Sequence, residues 1–226
     1  ISKVLRMGTG DRLILSDRKG ARFLALILSV GPREVLVTLE KSIPKPSPSP
    51  IEITLCQAMI KSRQMDYVIQ KTSELGVDRI LPFSSKRTVV RLSKDRLVNK
   101  IRHWHEIAQS STKQSDRDTP AEIGPVVTFE KLMERCKGED VLKVILWEEE
   151  GVKDLKSLLR EYSSLRKFVG IVGPEGGFIQ QEVEVARDAG FISVSLGSRI
   201  LRSETAAITM VAIAQYEWGD LSLNVS

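Results

Sequence analysis

The segment Phe168–Phe178 reads FVGIVGPEGGF, a continuous apolar run followed directly by a glycine-rich loop. A short apolar run of this kind predicts a strand buried on both faces, which is typical of a parallel sheet. In α/β proteins, ligands bind at the carboxyl ends of such strands, and glycines there let the backbone approach a ligand closely. On its own the loop is either a ligand loop or a tight turn. Its spacing matches neither the P-loop nor the dinucleotide-binding motif, so it supports neither of these two sites.

The chain around this segment alternates between predicted strands and predicted helices. Because strands that alternate with helices form a layered fold, the pattern predicts an α/β class with a mostly parallel sheet. The last helix is apolar on most sides, which places it in the core or in a subunit interface. Strands are predicted over residues 51–59, 79–83, 141–147, 168–172 and 191–196, and helices over 65–75, 97–108, 180–189 and 205–218.

The first 50 residues have a different pattern, with short predicted strands and no helical period. Residues 12–16, 21–30 and 34–39 are rich in Leu, Ile and Val and are separated by turn signals, so they predict a small β-barrel or sheet module. The following segment Lys41–Pro50 carries four prolines at alternate positions, which cannot continue a strand ladder. We therefore predict two domains, residues 1–46 and 51–226.

Composition excludes several classes of protein. No apolar run reaches the roughly 20 residues that cross a bilayer, and no secretory signal opens the chain. Two cysteines 80 residues apart, Cys56 and Cys136, and two histidines make a disulfide framework or a metal site improbable. We therefore expect a reducing, cytoplasmic location and no metal. The chain starts at Ile1 rather than Met, so we expect a short preceding segment.

The charge is distributed unevenly along the chain. The first 117 residues carry 22 Lys and Arg against 11 Asp and Glu, whereas the last 109 carry 12 against 18. A basic front half favours a polyanionic partner such as a nucleic acid, although a basic helix can also simply be a solvated face.

Two further loops follow predicted strands. LGSRILRSET (196–205) comes after one strand and leads into the apolar helix, with Ser203 as its expected N-cap. LWEEEG (146–151) follows another. Three such loops without a phosphate-binding lysine suit a ligand held mainly by main-chain contacts, such as an adenosine moiety.

Three ordered motifs make the chain similar to a known family. QKxxELGV at 70–77, GPEGGF at 173–178 and LGSRILRSETA at 196–206 resemble the bacterial 16S ribosomal RNA uracil-N3 methyltransferases, of the SPOUT class of S-adenosylmethionine-dependent enzymes. The short motifs VLRM at 4–7 and WGD at 218–220 extend the resemblance over most of the chain.

The resemblance implies an N-terminal PUA-like β-barrel that helps hold RNA and a SPOUT methyltransferase domain whose C-terminal segment forms a trefoil knot. It also implies a homodimer that methylates N3 of a uridine in small-subunit ribosomal RNA. We expect this RNA to be part of an assembled small subunit. The residues expected to bind S-adenosylmethionine are Leu146, Trp147, Glu148, Gly173, Pro174, Glu175, Gly176, Leu196, Gly197, Ile200, Leu201, Arg202 and Thr205.

The chemistry suggests roles for a few polar side chains. Arg202 is expected to stabilise charge that develops on the uracil carbonyl oxygens. Glu204 or Glu175 is the candidate proton acceptor, and each is equally a structural carboxylate. We interpret His103 and His105 as RNA-facing or structural. The candidate phosphate contacts are Arg6, Arg12, Arg22, Lys86, Arg87, Arg91 and Arg117.

The chain departs from the usual family pattern at three places. Lys61–Met65 reads KSRQM rather than Lys-Gly-Asp-Arg-Met, Asp116 replaces a glycine, and Ser203 replaces the commoner threonine. We expect the first two to affect RNA contact more than catalysis. Two alternatives stay open: a non-enzymatic RNA-binding factor, against which the intact loops argue, and a SPOUT enzyme with another RNA target or ribose 2′-OH chemistry.

Overall fold

The computed structural model describes residues 7–17, 21–32, 34–44, 49–90, 93–115, 117, 119–151 and 153–222. The chain divides into two compact units, Ile1–Ser47 and Pro48–Ser226. The division falls within the proline-rich segment. None of the helices in these ranges is both long and apolar enough to cross a membrane.

The first unit contains an antiparallel sheet of three strands in the order β1-β2-β3. The strands are β1 (Arg12–Ser16), β2 (Arg22–Val30) and β3 (Val35–Ile43), as the sequence predicts. Alternation along β2 buries Ala25 and Ile27. A closed barrel stays a prediction, since the described residues of this unit form a sheet.

The second unit is built on a parallel sheet of seven strands. Its strands are β4 (Glu52–Ala58), β5 (Arg79–Ser84), β6 (Glu122–Ile123), β7 (Val127–Thr128), β8 (Leu142–Leu146), β9 (Lys167–Val172) and β10 (Ile192–Val194). Their order is β10-β8-β9-β4-β5-β6, and β7 also pairs with β5. All of these pairs are parallel, which confirms the predicted α/β class.

Six helices accompany this sheet in the described ranges: α1 (Ser62–Glu74), α2 (Lys94–Gln114), α3 (Phe129–Arg135), α4 (Leu155–Glu161), α5 (Gln180–Asp188) and α6 (Ser203–Trp218). Helix α1 buries the predicted face of Met65, Val68, Ile69 and Thr72, and the chain turns at Gly76 with φ of +94°. Helices α3 and α4 are absent from the sequence prediction because seven residues are too few to display a helical period.

Helix α6 packs against α1, α4 and strands β4 and β9. Met210, Val211 and Ala214 are fully buried. Contact with β9 is close, because a Cβ at Gly170 would collide with Met210. On the opposite side, Thr205 and Tyr216 are exposed. The predicted burial of this apolar helix is therefore confirmed for one face only.

Candidate functional site

Three loops meet at one edge of the sheet. Because β10, β8 and β9 are neighbours and parallel, the chain leaves all three at the same edge. The loops surround a cavity of about 560 Å³. That volume lies within the range of pockets that hold small-molecule ligands and cofactors.

The first wall is the glycine-rich loop after β9. The amide of Gly177 donates to the carbonyl of Pro174 at 3.0 Å, and Gly177 has φ of +68°. A Cβ at Gly173 would lie only 3.0 Å from the ring of Phe178, which stacks on Phe83 with centroids 6.4 Å apart. The loop is thus a tight turn that is anchored by an aromatic side chain in the core.

The second wall is the loop 196–202 between β10 and α6. Gly197 has φ of +104°, a conformation that side chains rarely adopt, and no atom lies within 4 Å of a Cβ built there. The expected N-cap role of Ser203 is wrong. Arg202 holds the extended N-cap conformation and Ser203 is the first helical residue. The Ser203 hydroxyl donates to the carbonyl of Gly173 at 2.5 Å, so it faces the neighbouring loop instead.

The third wall follows β8. The guanidinium carbon of Arg187 lies 5.3 Å from the centre of the Trp147 ring, a cation–π contact. Arg187 also contacts the Glu150 carboxylate at 3.3 Å. Glu148 turns toward the glycine-rich loop, where its Oε1 would be 3.3 Å from a Cβ at Gly177. Arg187 of α5 therefore holds the Trp147 ring in place.

The structure brings together most of the residues expected to hold the cofactor. Gly176 and Thr205 are exceptions: the carbonyl of Gly176 accepts from Arg87 Nη1 at 2.8 Å, and Thr205 is exposed on α6. The predicted residues that line the cavity are Leu146, Trp147, Glu148, Gly173, Pro174, Glu175, Leu196, Gly197, Ile200, Leu201 and Arg202.

The polar side chains proposed for catalysis also border the cavity. Arg202 lies at the N-cap of α6 and Glu204 in its first turn, and both line the cavity. Within the described ranges Arg202 has no carboxylate partner within 4 Å. Glu175 Oε1 accepts from the amide of Lys61 at 3.4 Å, which gives this carboxylate a structural contact.

Comparison with known proteins identifies the family. The family model of the RNA methyltransferase domain matches residues 47–215. The chain belongs to this RNA methyltransferase family. It is 34% identical over 215 residues to the ribosomal RNA small subunit methyltransferase E of Rickettsia conorii, covering 94% of this chain and 83% of that protein. The protein of the same name from Bacillus subtilis is 28% identical over 220 residues, which cover 96% and 86% of the two chains.

Solved structures of similar proteins have the same fold. The ribosomal RNA small subunit methyltransferase E of Neisseria gonorrhoeae, bound to S-adenosyl methionine, matches with a TM-score of 0.80 and 31% identity over 98% of this chain and 89% of that one. A putative methyltransferase from Legionella pneumophila, in complex with the same cofactor, matches with a TM-score of 0.79 and 33% identity over 98% and 89%.

Sequence reasoning missed one wall of the cavity in this RNA methyltransferase. Lys61 and Gln64, at the start of α1, line the cavity. The departure at KSRQM, which we expect to affect RNA contact more than catalysis, thus includes two residues that line the cavity. The signal lay in the strand order: β4 pairs with β9, so the residues that follow β4 emerge beside the glycine-rich loop.

The candidate phosphate contacts lie in different settings. Arg117 donates to the carbonyls of Ser73 and Val77 at 3.2 and 2.8 Å, contacts that make it a structural residue. Arg22 is only 7% exposed. Arg12 is exposed and pairs with Glu40 at 2.9 Å. Arg6, Arg91 and the unusual Asp116 lie outside the described residues.

Lys86 and Arg87 stand beside the cavity loops. The amide of Lys86 donates to Glu182 Oε1 at 2.9 Å, and Arg87 Nη1 donates to the carbonyl of Gly176. The side chain of Lys86 is thus not needed for its contact with α5. Among the described residues, no group of three or more His, Cys, Asp or Glu side chains could hold a metal ion.

Proposed function

We propose that this chain is an S-adenosylmethionine-dependent methyltransferase that methylates N3 of a uridine in small-subunit (16S) ribosomal RNA. The observation that carries the proposal is the three-loop cavity at the sheet edge, in a chain similar over nearly its whole length to two proteins whose structures contain that cofactor. A ribosomal RNA substrate places the proposed reaction in the cytoplasm.

The cavity fits an adenosine-containing cofactor. Its walls combine apolar side chains such as Leu146, Leu196 and Leu201 with the backbone of two glycine-containing loops. A Cβ at Gly173 would lie 3.0 Å from the Phe178 ring and one at Gly177 would lie 3.3 Å from Glu148 Oε1, so a side chain at either position would crowd its neighbour. Main-chain donors and acceptors with apolar walls suit a purine and its ribose.

The proposed chemistry is an in-line methyl transfer. Bound S-adenosylmethionine supplies the methyl group, which passes from its sulfur to uracil N3, so that the products are S-adenosylhomocysteine, N3-methyluridine and a proton. Arg202 stabilises the negative charge that spreads over the uracil carbonyl oxygens when N3 loses its proton. Its position at the amino end of α6 adds the positive end of the helix dipole to the same site.

Glu204 is the proposed acceptor of the N3 proton. It borders the cavity two residues after Arg202, and within the described ranges no hydrogen bond or ion pair engages its carboxylate. Glu175 is a weaker candidate because its carboxylate already accepts from Lys61.

The substrate side of the proposal rests on charge. Lys86 and Arg87 lie next to the glycine-rich loop, and Arg12 belongs to the first unit. We propose that these cations contact phosphates, which position RNA without reading its sequence. The target base must turn out of its helix to reach the cavity. We propose an assembled small subunit as the substrate.

Three architectural proposals accompany the function. The first unit is a PUA-like barrel, of which the three-stranded sheet is part. The C-terminal segment forms a trefoil knot, which is supported by the path from edge strand β10 back across β8 and β9 to α6. The chain is a homodimer, which is supported by the half-apolar face of α6 that carries Thr205, Thr209, Ala212 and Tyr216.

Calorimetric titration with S-adenosylmethionine tests the cofactor part. We expect micromolar binding by the wild-type chain. Gly197→Val should abolish it, because valine cannot adopt φ of +104° without reshaping the loop, although no atom obstructs its side chain. Val89→Ala, an exposed apolar position, is the control. Failure of the wild-type chain to bind at any reachable concentration would leave a non-enzymatic RNA-binding protein as the better account.

A further inference from the structure

A chain of buried hydrogen bonds joins the two principal loops of the cavity. Gln57, at the end of β4, is fully buried, and Ser203 is 7% exposed. Gln57 Nε2 donates to Ser203 Oγ at 3.0 Å, and Ser203 Oγ donates to the carbonyl of Gly173 at 2.5 Å. Polar groups so deeply buried contribute to a unique arrangement when they are paired.

The direction of this relay is determined by its surroundings. Gln57 Nε2 also donates to the carbonyl of Ala58 at 3.0 Å. If the amide were turned over, its oxygen would face that carbonyl, and two acceptors would oppose each other. Since the amide nitrogen therefore donates to Ser203, the serine proton is directed to Gly173. Gln57 Oε1 is left without a hydrogen-bond partner among the described residues, so the two donated bonds dictate the orientation.

Ser203 and Gly173 border the cavity, whereas Gln57, where the relay begins, does not. Gly173 begins the glycine-rich loop, and Ser203 follows Arg202 at the start of α6. Gln57 pairs in the sheet with Val172 of β9 and Pro82 of β5, at the centre of the sheet edge. A change at Gln57 therefore reaches a bound ligand only through Ser203 and Gly173.

We propose that Gln57 and Ser203 are positioning residues that hold the glycine-rich loop and the amino end of α6 in register for cofactor binding. This inference rests on the proposed function, since it takes the cavity to hold S-adenosylmethionine. Either serine or threonine supplies the required hydroxyl.

Cofactor affinity of matched variants tests the relay. Ser203→Ala should raise the Kd for S-adenosylmethionine roughly tenfold, because the Gly173 carbonyl loses its donor and Gln57 loses its acceptor. Ser203→Thr should stay within about twofold of wild type because it keeps the hydroxyl. The control is Ser115→Ala, which removes a serine hydroxyl that also donates to a backbone carbonyl, that of Ser111, outside the cavity. Its Kd should not change.

A double-variant cycle separates a relay from two independent effects. Gln57→Met should raise the Kd by a similar factor, and Gln57→Met with Ser203→Ala should raise it roughly tenfold rather than a hundredfold, because both changes break one connection. Should Ser203→Ala fail to fold, Ser203→Cys takes its place, since a thiol is a weak donor. Thermal unfolding is measured for every variant.

Two results would overturn the inference: an unchanged Kd in the Ser203 and Gln57 variants, or strictly multiplicative effects in the double variant. Both are distinct from failure of the proposed function, which would appear as absence of binding by the wild-type chain.

Discussion

Arg202 combines an exposed guanidinium with a fixed backbone at the start of α6, and within the described ranges it faces no carboxylate at ion-pair distance. A cation without an internal partner at the rim of a cavity is available to a substrate that acquires negative charge. This setting separates Arg202 from Arg187, whose charge is engaged by Glu150 and by the Trp147 ring.

Arg202→Ala should lower kcat by a factor of about 10² to 10³, because the developing charge on the uracil oxygens loses its stabilising cation. The Kd for S-adenosylmethionine should change little. Steady-state kinetics on small subunits and calorimetry measure the two quantities, with Lys156→Ala on the exposed side of α4 as control. If cofactor affinity fell as far as kcat, Arg202 would be a binding residue instead.

The side chains of the site differ in how far the sequence predicts them. Gly173 and Gly197 are found because glycines after a buried strand have a physical reason to be there. Ser203 is misread because a serine before an apolar helix usually caps it, and only the folded chain shows that Gly173 competes for its hydroxyl. Gln57 gives no sequence signal, since a single glutamine in an apolar strand does not reveal its partner 146 residues away.

Among the elements, the segment between β5 and α2 carries the cations Lys86 and Arg87 and lies against the glycine-rich loop. Ser85 and Thr88 form a local turn, with the Ser85 amide donating to Thr88 Oγ1 at 2.9 Å. Between them, Lys86 contacts α5 and Arg87 contacts the glycine-rich loop. RNA bound on this segment and cofactor bound in the cavity therefore share a structural element.

Arg87→Ala should weaken both RNA and S-adenosylmethionine binding, the latter by roughly fivefold, because the Gly176 carbonyl loses a charged donor. Lys86→Ala is the matched control: it removes a cation but retains the amide contact to Glu182, so only RNA affinity should fall. Calorimetry for the cofactor and filter binding for RNA give both values. Equal effects of the two variants on cofactor affinity would contradict the proposed support of the glycine-rich loop by Arg87.

Arg117 holds the end of α1 to the start of β5. Its guanidinium bonds two carbonyls and lies 3.4 Å from the Asp78 carboxylate, which accepts from the Ile53 amide at 2.7 Å. Burial raises the pKa of Asp78 above its ordinary 3.8, whereas the Ile53 amide and Arg117 lower it.

Arg117→Ala should lower the free energy of unfolding by about 2 kcal/mol, because the buried Val77 carbonyl loses its donor and Asp78 loses its cation, whereas the Ser73 carbonyl keeps the Gly76 amide. Part of this loss depends on pH. Without Arg117 the folded-state pKa of Asp78 rises further, so the added cost is fully present above the variant's folded-state pKa and disappears as the pH falls through the wild-type folded-state pKa, which itself lies above 3.8. Urea unfolding at several pH values measures it.

Arg79→Ala, which removes an exposed pair with Glu122, is the control for Arg117→Ala and should cost at most about 0.5 kcal/mol. An Arg117 variant with unchanged stability and a selective loss of RNA affinity would restore the phosphate-contact interpretation.

The sequence predicts a helix or a strand correctly where its hydrophobic pattern is long enough to be recognised. Apolar runs predict five of the seven strands of the parallel sheet, whereas β6 and β7, of two residues each, are too short to be predicted. Helices α3 and α4 are too short for a period, but Thr128 and Asp154 cap them, with side-chain oxygens accepting from amides three residues on. The apolar pattern does not predict the order of the strands in the sheet, because each parallel crossover can place the next strand on either side of the preceding one.

At the scale of the whole molecule, α6 divides its surface between two environments. One side fits against β4, β9 and α1, and the other carries Thr209 and Ala212, half-buried, beside exposed Tyr216. An apolar helix with one uncovered face favours association with a second copy of the chain.

Ala212→Arg should convert the proposed homodimer to a monomer, because a guanidinium on this face cannot be desolvated without a partner. Analytical ultracentrifugation measures the change, and Lys156→Glu is a charged control on α4. A wild-type chain that sediments as a monomer at micromolar concentration would contradict the proposed dimer.

The most direct test of the central claim is methyl transfer itself. The purified chain is incubated with S-adenosylmethionine that carries an isotopically labelled methyl group and with small ribosomal subunits that lack the modification, and the RNA is digested for mass spectrometry of its nucleosides. We expect labelled N3-methyluridine in the small-subunit RNA, and with Arg202→Ala about 10² to 10³ times less of it at matched early times. A label on ribose 2′-oxygen, on another base or on no nucleoside at all would contradict the central claim.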